Sequence, residues 1–244
     1  MKFFNLHKGF RVVTPQNKDN KNRCALLIGA TGLVGGELLK LLLTDPRYTR
    51  VHTLGRRAPS VNHPKLTAHV ADVAKPLQLA EMPSVDDVYC ALGTTIKVAG
   101  SQAAFKAIDL DAVVLVAKAA RQVNKAGHLG VVSAMGADAK SGVFYNRIKG
   151  EMEAAVAQLG FESVSIARPS MLSGDRESLN QASRLGEQIG LQLMTAVSFL
   201  IPANYKAIEA VDVARALHRM VTEGHPGVRI VMSGELTALA RGAS

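Results

Sequence analysis

The sequence predicts an α/β protein: a doubly wound parallel sheet with helices on both faces and a small C-terminal substrate-side lobe. Two observations carry this prediction. The stretch Cys24–Leu43, CALLIGATGLVGGELLKLLL, joins an unbroken apolar run to three spaced glycines and then to a helical leucine repeat. Downstream, apolar runs of strand length alternate with segments of helical period.

The run Cys24-Ala25-Leu26-Leu27-Ile28 fits a strand covered on both faces, where no polar alternation is needed. Gly29, Gly32 and Gly35 follow, and Leu38, Leu39, Leu42 and Leu43 then repeat on one helix face. Strand, glycine turn and helix make a Rossmann-like dinucleotide-binding unit. Gly29 allows the tight turn, Gly32 lets backbone approach a pyrophosphate, and Gly35 lets the helix lie close to the sheet. The free N–H groups of the helix start, with the positive end of its dipole, favour phosphate. The expected cofactor contacts here are Gly29, Thr31, Gly32, Leu33, Val34 and Gly35. A glycine-rich turn that binds nothing is the plainer alternative; the strand before and the helix after favour the cofactor.

Asp45-Pro46 ends the first helix. Val51–Leu54 reads as the second strand, Leu66–Val70 as the third, ending at Asp72, and Asp87–Leu92 as the fourth, running into Gly93-Thr94-Thr95. A long helix is predicted from about Ser101 to Asn124, on which the plainer reading of Asp109 and Asp111 is an exposed face. Leu129–Ser133 is the fifth strand, 144–159 a helix, and Ser163–Ala167 the sixth strand, ahead of Arg168-Pro169. Asp212 reads as the N-cap of a helix Val213–Val221, and Val228–Met232 as a late strand. Crossovers between parallel strands should be right-handed.

At 244 residues the chain suits one domain over residues 23–244, with substrate-side elements mainly in 168–244. Residues 1–22 read as a flexible basic arm. Residues 1–23 carry Lys2, Lys8, Arg11, Lys18, Lys21 and Arg23 against Asp19 alone, so much of the net charge of +9 sits there. The body is only mildly basic, and no nucleic-acid partner is expected. Phe3, Phe4, Leu6 and Phe10 mix with those charges, but no continuous apolar h-region forms a secretory signal. A weak targeting or membrane-surface segment is the alternative to a loose arm. Leu191–Ile201 is too short to span a bilayer, so no transmembrane segment is expected. Cys24 and Cys90 both fall in strand runs, which suits buried thiols in a reducing, cytoplasmic protein. The seven histidines show no ligand spacing, so no metal is expected.

Cofactor choice is read at the end of the second strand. An acidic residue there selects NAD; this chain has Arg56 and Arg57, whose guanidinia suit a 2′-phosphate and NADP(H). Catalytic chemistry is read from Tyr145-Asn146-Arg147-Ile148-Lys149, where Tyr145 and Lys149 share a helix face. A neighbouring ammonium favours the phenolate and makes Tyr145 usable as a general acid or base. Ser133, at the end of the fifth strand, would hydrogen-bond the substrate oxygen, and Lys149 would also reach the cofactor ribose. Met135, Phe144, Met171 and Leu172 are candidates for an apolar pocket wall.

The GxxGxxG spacing and the Ser133–Tyr145–Lys149 set resemble the short-chain dehydrogenase/reductase superfamily from about Cys24 to the C-terminus. CALGTTIKVAGS, FKAIDLDAV, VVSAMGADAKSGVFYNRIKGEME and SIARPSMLSGDRES resemble its atypical, extended branch, that of the Tat-interacting tumour-suppressor oxidoreductase and its small bacterial relatives. The resemblance implies a Rossmann fold binding NADPH, with Asp72 and Val73 against the adenine. It also places Leu92, Gly93, Thr94, Arg168 and Pro169 on the cofactor side, and likens Gly174-Asp175-Arg176 to the turn after the sixth strand of the extended branch. One departure stands out: many members carry an Asn in the helix after the fourth strand, and the counterpart here is Asp109. The expected function is NADPH-dependent transfer of hydride to a small carbonyl substrate, with a protein partner or a homodimer also open. The alternatives are an NADP(H)-binding redox-sensing regulator acting through a protein partner and, third, a nucleotide-sugar epimerase or dehydratase. The last needs a larger substrate lobe than Ile166–Ser244 provides.

Overall fold

In the computed structural model, which describes residues 22–73, 84–124, 126–173 and 202–242, the first apolar run forms the central strand β1 (Arg23–Ile28). All its residues are buried because both faces are covered. Cys24, Leu26 and Ile28 face one hydrophobic layer; Ala25 and Leu27 face the other. The chain then adds β2 (Tyr48–Gly55), β3 (Leu66–Val70), β4 (Asp87–Cys90), β5 (His128–Val132) and β6 (Ser163–Arg168). A separate parallel pair, β7 (Leu172–Ser173) and β8 (Ile208–Glu209), precedes β9 (Gly227–Met232). The main sheet runs β3-β2-β1-β4-β5-β6-β9, parallel throughout. The order reverses between β1 and β4. That reversal opens a crevice at their carboxyl ends, the usual ligand position of an open α/β sheet.

The helices are α1 (Leu33–Thr44), α2 (Ile96–Ala99), α3 (Gln102–Lys106), α4 (Val113–Asn124), α5 (Phe144–Ala157), α6 (Ala210–Glu223) and α7 (Ser233–Ala240). Phe105 of α3, Val116 of α4 and Met152 of α5 fill the first layer. Leu38 and Leu42 of α1, Leu217 of α6 and Leu236 of α7 fill the second. Cys24 and Cys90 lie in the first layer, and burial pushes both thiols up to about 11.

Three expectations change. The single helix predicted from Ser101 to Asn124 is interrupted by a π-turn, Ala107–Ala112, between α3 and α4. Asp212 is not an N-cap: α6 starts at Ala210 with Glu209 as cap, because the chain enters it directly from β8. Asp212 instead lies in the first turn, where a carboxylate faces the positive helix end. Helix α7 carried too weak a periodicity to be predicted. The arm up to residue 21, the turn Gly174-Asp175-Arg176 and the run Leu191–Ile201 lie outside the described residues.

A polar cluster anchors the opposite end of the sheet. Tyr48 donates its hydroxyl to Asp87 at 2.8 Å and lies 2.9 Å from the Tyr89 hydroxyl, while Arg23 pairs with Asp87. Next to it, Asp45 accepts from Arg47 Nη2 at 2.7 Å and faces His218 Nε2 at 2.9 Å. Burial would push the Asp45 carboxyl up, but the hydrogen bonds from His218 and Arg47 outweigh it and hold it well below the usual range. A depressed carboxylate adds stability above its unfolded pKa, 3.8, and that stability is lost as pH falls through the folded value. Asp45→Asn should therefore cost about 1–3 kcal/mol at neutral pH and flatten the acid limb of a plot of Tm against pH. An unaltered acid limb would refute this.

Candidate functional site

The glycine loop follows β1. Gly29 has φ +87°, and a Cβ there would lie 2.6 Å from the Ala91 carbonyl oxygen, so the turn requires glycine. A Cβ on Gly35 would lie 1.9 Å from the Gly29 oxygen, which explains how closely α1 approaches the turn. Gly32, the N-cap, contributes no side chain, and no acidic residue occupies the first turn. Helical bonding starts with Gly36 N–H donating to Gly32 O at 2.8 Å. The amides of Leu33, Val34 and Gly35 precede that bond and point out of the helix end, as an anion requires. Val34 is itself a core residue, so only its backbone is available to a ligand.

The loop after β4 supplies the next wall. Leu92 packs on the first hydrophobic layer, and Gly93 is exposed with no atom within 4 Å of where a Cβ would stand. Thr94 donates its backbone N–H to Asp109 Oδ2 at 3.0 Å. Asp109 is fully buried, contrary to the expected exposed face, while Asp111 stays exposed and pairs with Lys106 at 2.8 Å. Two residues apart, they point to opposite sides of the helix, and Asp109 takes the side that faces Thr94 and Lys149.

Asp109 Oδ1 lies 2.6 Å from Lys149 Nζ on α5, with 4% of the Lys149 side chain and none of that of Asp109 exposed. Burial alone would depress the Lys149 ammonium; the neighbouring Asp109 carboxylate outweighs it and holds Lys149 above its ordinary value. Tyr145, one turn before Lys149, is half-buried with its ring 5.4 Å from that of Phe105.

Ser133 is held elsewhere. Its hydroxyl donates to Glu153 Oε1 at 2.5 Å, and Glu153 also accepts from Arg168 Nε at 2.9 Å and Nη2 at 2.5 Å. Sequence reasoning missed Glu153, although it lies four residues beyond Lys149 and so shares the face of Tyr145 and Lys149. Arg168 thus spends its guanidinium on Glu153, and the Pro169 carbonyl accepts the Met135 N–H at 2.9 Å. Arg56 and Arg57 follow β2, exposed and without an ion pair among the described residues. Asp72 is exposed, whereas Val73 is buried in the first layer. Phe144 packs against the first layer and Leu172 against the second, while Met171 is exposed. Among the described residues no cluster of ligating side chains could hold a metal ion.

Comparison with known proteins agrees with this geometry. Residues 29–198 match the NAD(P)H-binding family. The chain belongs to that family. Relatives of this NAD(P)H-binding chain include protein FMP52 of Coccidioides immitis, 31% identical over 88% of this chain and 95% of that one. Protein fmp52 of Emericella nidulans is 39% identical over 64% of this chain and 70% of its own. Protein HTATIP2 of Rattus norvegicus is 33% identical over 84% of each. These place the NAD(P)H-binding chain in the atypical short-chain dehydrogenase/reductase branch. The solved structure of WbmF from Bordetella bronchiseptica, in complex with NAD+, matches in fold with TM-score 0.65, 14% identity, and coverage of 92% and 79%. The oxidoreductase ylbE of Lactococcus lactis matches with TM-score 0.60, 16% identity, and coverage of 90% and 95%.

The cytoplasmic expectation is corrected by the same comparison. The fungal relatives are named mitochondrial. Two free, buried thiols do not separate the cytosol from another reducing compartment. Among the described residues no helix is long and apolar enough to cross a membrane.

Proposed function

We propose that the chain is an NADPH-dependent reductase of a small carbonyl compound. The observation that carries this reading is the face of α5, where Tyr145 stands one turn from a buried Lys149 whose charge is held by Asp109. When bound, a reduced nicotinamide supplies the hydride. Tyr145 then gives its phenolic proton to the carbonyl oxygen, and Lys149 stabilises the phenolate left behind and reaches the ribose. Ser133, whose proton is engaged by Glu153, donates to the substrate oxygen once that hydroxyl turns away from the carboxylate. The names of the fungal relatives make the mitochondrion the proposed compartment. Loss of NADPH absorbance across a panel of aldehydes and ketones tests the reaction; no turnover with any of them would overturn it.

Cofactor preference is part of the proposal. Arg56 and Arg57 stand at the end of β2, with their guanidinia free of ion pairs among the described residues. Replacing both by Ala should weaken NADPH binding about a hundredfold or more, each charge-assisted contact contributing about 1.5–3 kcal/mol. NADH binding should hardly change. Equal wild-type affinities for the two nucleotides would count against the assignment.

A further inference from the structure

One buried carboxylate serves two donors. Asp109 Oδ1 lies 2.6 Å from the Lys149 ammonium, and Oδ2 accepts the Thr94 backbone N–H at 3.0 Å. Thr94 belongs to the loop after β4 and Lys149 to α5, so Asp109 ties together the two segments that flank the crevice. A carboxylate accepts at both oxygens. An asparagine has one acceptor oxygen and would turn its NH2 against either the ammonium or the amide. At this geometry Asp109 is therefore not interchangeable with the Asn that many related enzymes carry after the fourth strand.

We propose that Asp109 is a positioning residue of the cofactor site, which locks the loop after β4 to Lys149 and keeps Lys149 protonated for a nucleotide ribose. The ribose part rests on the reading of the crevice as a nicotinamide site. The groups that bear on Lys149 are Asp109 from the π-turn, Cys90 from β4 and Tyr145 from its own helix. The Cys90 thiol is pushed up by burial and is neutral. Burial pushes the Asp109 carboxyl up against the attraction of Lys149, and at 2.6 Å Asp109 is the carboxylate placed to hold the Lys149 proton in a site almost closed to water.

The test compares wild type with Asp109→Asn, Lys149→Met and the double variant. The first readout needs no cofactor. Lysine side chains are labelled with 13C, the Lys149 Cε resonance is identified by its absence in Lys149→Met, and its shift is followed with pH. In wild type Lys149 should stay protonated to at least its ordinary 10.5. In Asp109→Asn the midpoint should fall by roughly 2–3 units, as for a buried ammonium without its partner. Asp109→Ser, also uncharged, should give the same fall and covers the case in which Asn at this position does not fold. An unchanged midpoint in a folded variant overturns the proposal. The second readout is NADPH affinity by nucleotide fluorescence. Between about pH 7 and 9 wild type should be flat, Asp109→Asn should weaken about tenfold with rising pH, and the double variant should be flat again. A loss in Asp109→Asn that does not vary with pH would mark Asp109 as merely structural and overturn the proposal. If wild type binds no NADPH, the nicotinamide reading and the ribose part fall together, while the Lys149 titration still decides who holds the proton.

Discussion

Tyr145→Phe is expected to lower turnover about 10²–10⁴-fold, the usual contribution of a positioned general acid. The substitution keeps the ring that packs 5.4 Å from Phe105 and removes only the hydroxyl. Folding and NADPH affinity should therefore stay near wild type. Lys149→Met should act differently: it lowers both turnover and affinity, and it leaves Asp109 as a buried carboxylate without its cation. A regulator that only senses the nucleotide would show no turnover to lose and unchanged binding in Tyr145→Phe. The reductase reading fails if an active substrate is found and Tyr145→Phe reduces it at the wild-type rate.

Gly35→Ala should be the most damaging single-methyl change in the chain's nucleotide loop. The added Cβ would stand 1.9 Å from the Gly29 oxygen and 2.7 Å from the Gly29 carbonyl carbon. Both are backbone atoms of the turn, so no side chain can rotate away. Overpacking of this kind costs typically about 1–3 kcal/mol, and more where backbone must move. Because the atom displaced belongs to the phosphate loop, NADPH affinity should fall with the melting temperature. Gly36→Ala is the control, since its Cβ would find nothing nearer than the Ala30 oxygen at 3.8 Å. Inside α1 that change should be neutral or stabilise by up to about 1 kcal/mol. If Gly35→Ala melts as wild type does, the close approach of α1 to the turn is not needed for stability.

The sheet was legible in the sequence because its central strands, β1, β4, β5 and β6, are apolar runs covered on both faces. The third strand, Leu66–Val70, was located to the residue, and the other predicted strands were displaced only at their ends. The glycine triplet was legible because two of its members face backbone atoms that exclude any side chain. Asp109 was noticed only as a departure from a family pattern. Its burial goes with two partners on other segments, the Thr94 amide and the Lys149 ammonium, which local spacing does not record. Ser133 was found by position, yet the partner that orients its hydroxyl comes from α5, twenty residues away. Such contacts across elements leave no mark on local spacing. Helix α7 was missed because it is only eight residues long and its apolar periodicity is weak.

The two thiols give the protein a built-in record of its own breathing. Cys24 stands near the amino end of β1 and Cys90 at the carboxyl end of β4, in neighbouring strands at the centre of the sheet. They are 1% and 2% exposed, and burial holds both in the unreactive thiol form. An alkylating reagent can therefore modify either one only while its end of the sheet is open. Equal rates at the two cysteines describe a sheet that parts as a whole. A faster rate at Cys90 describes an end that opens on its own, and that is the end where the crevice lies.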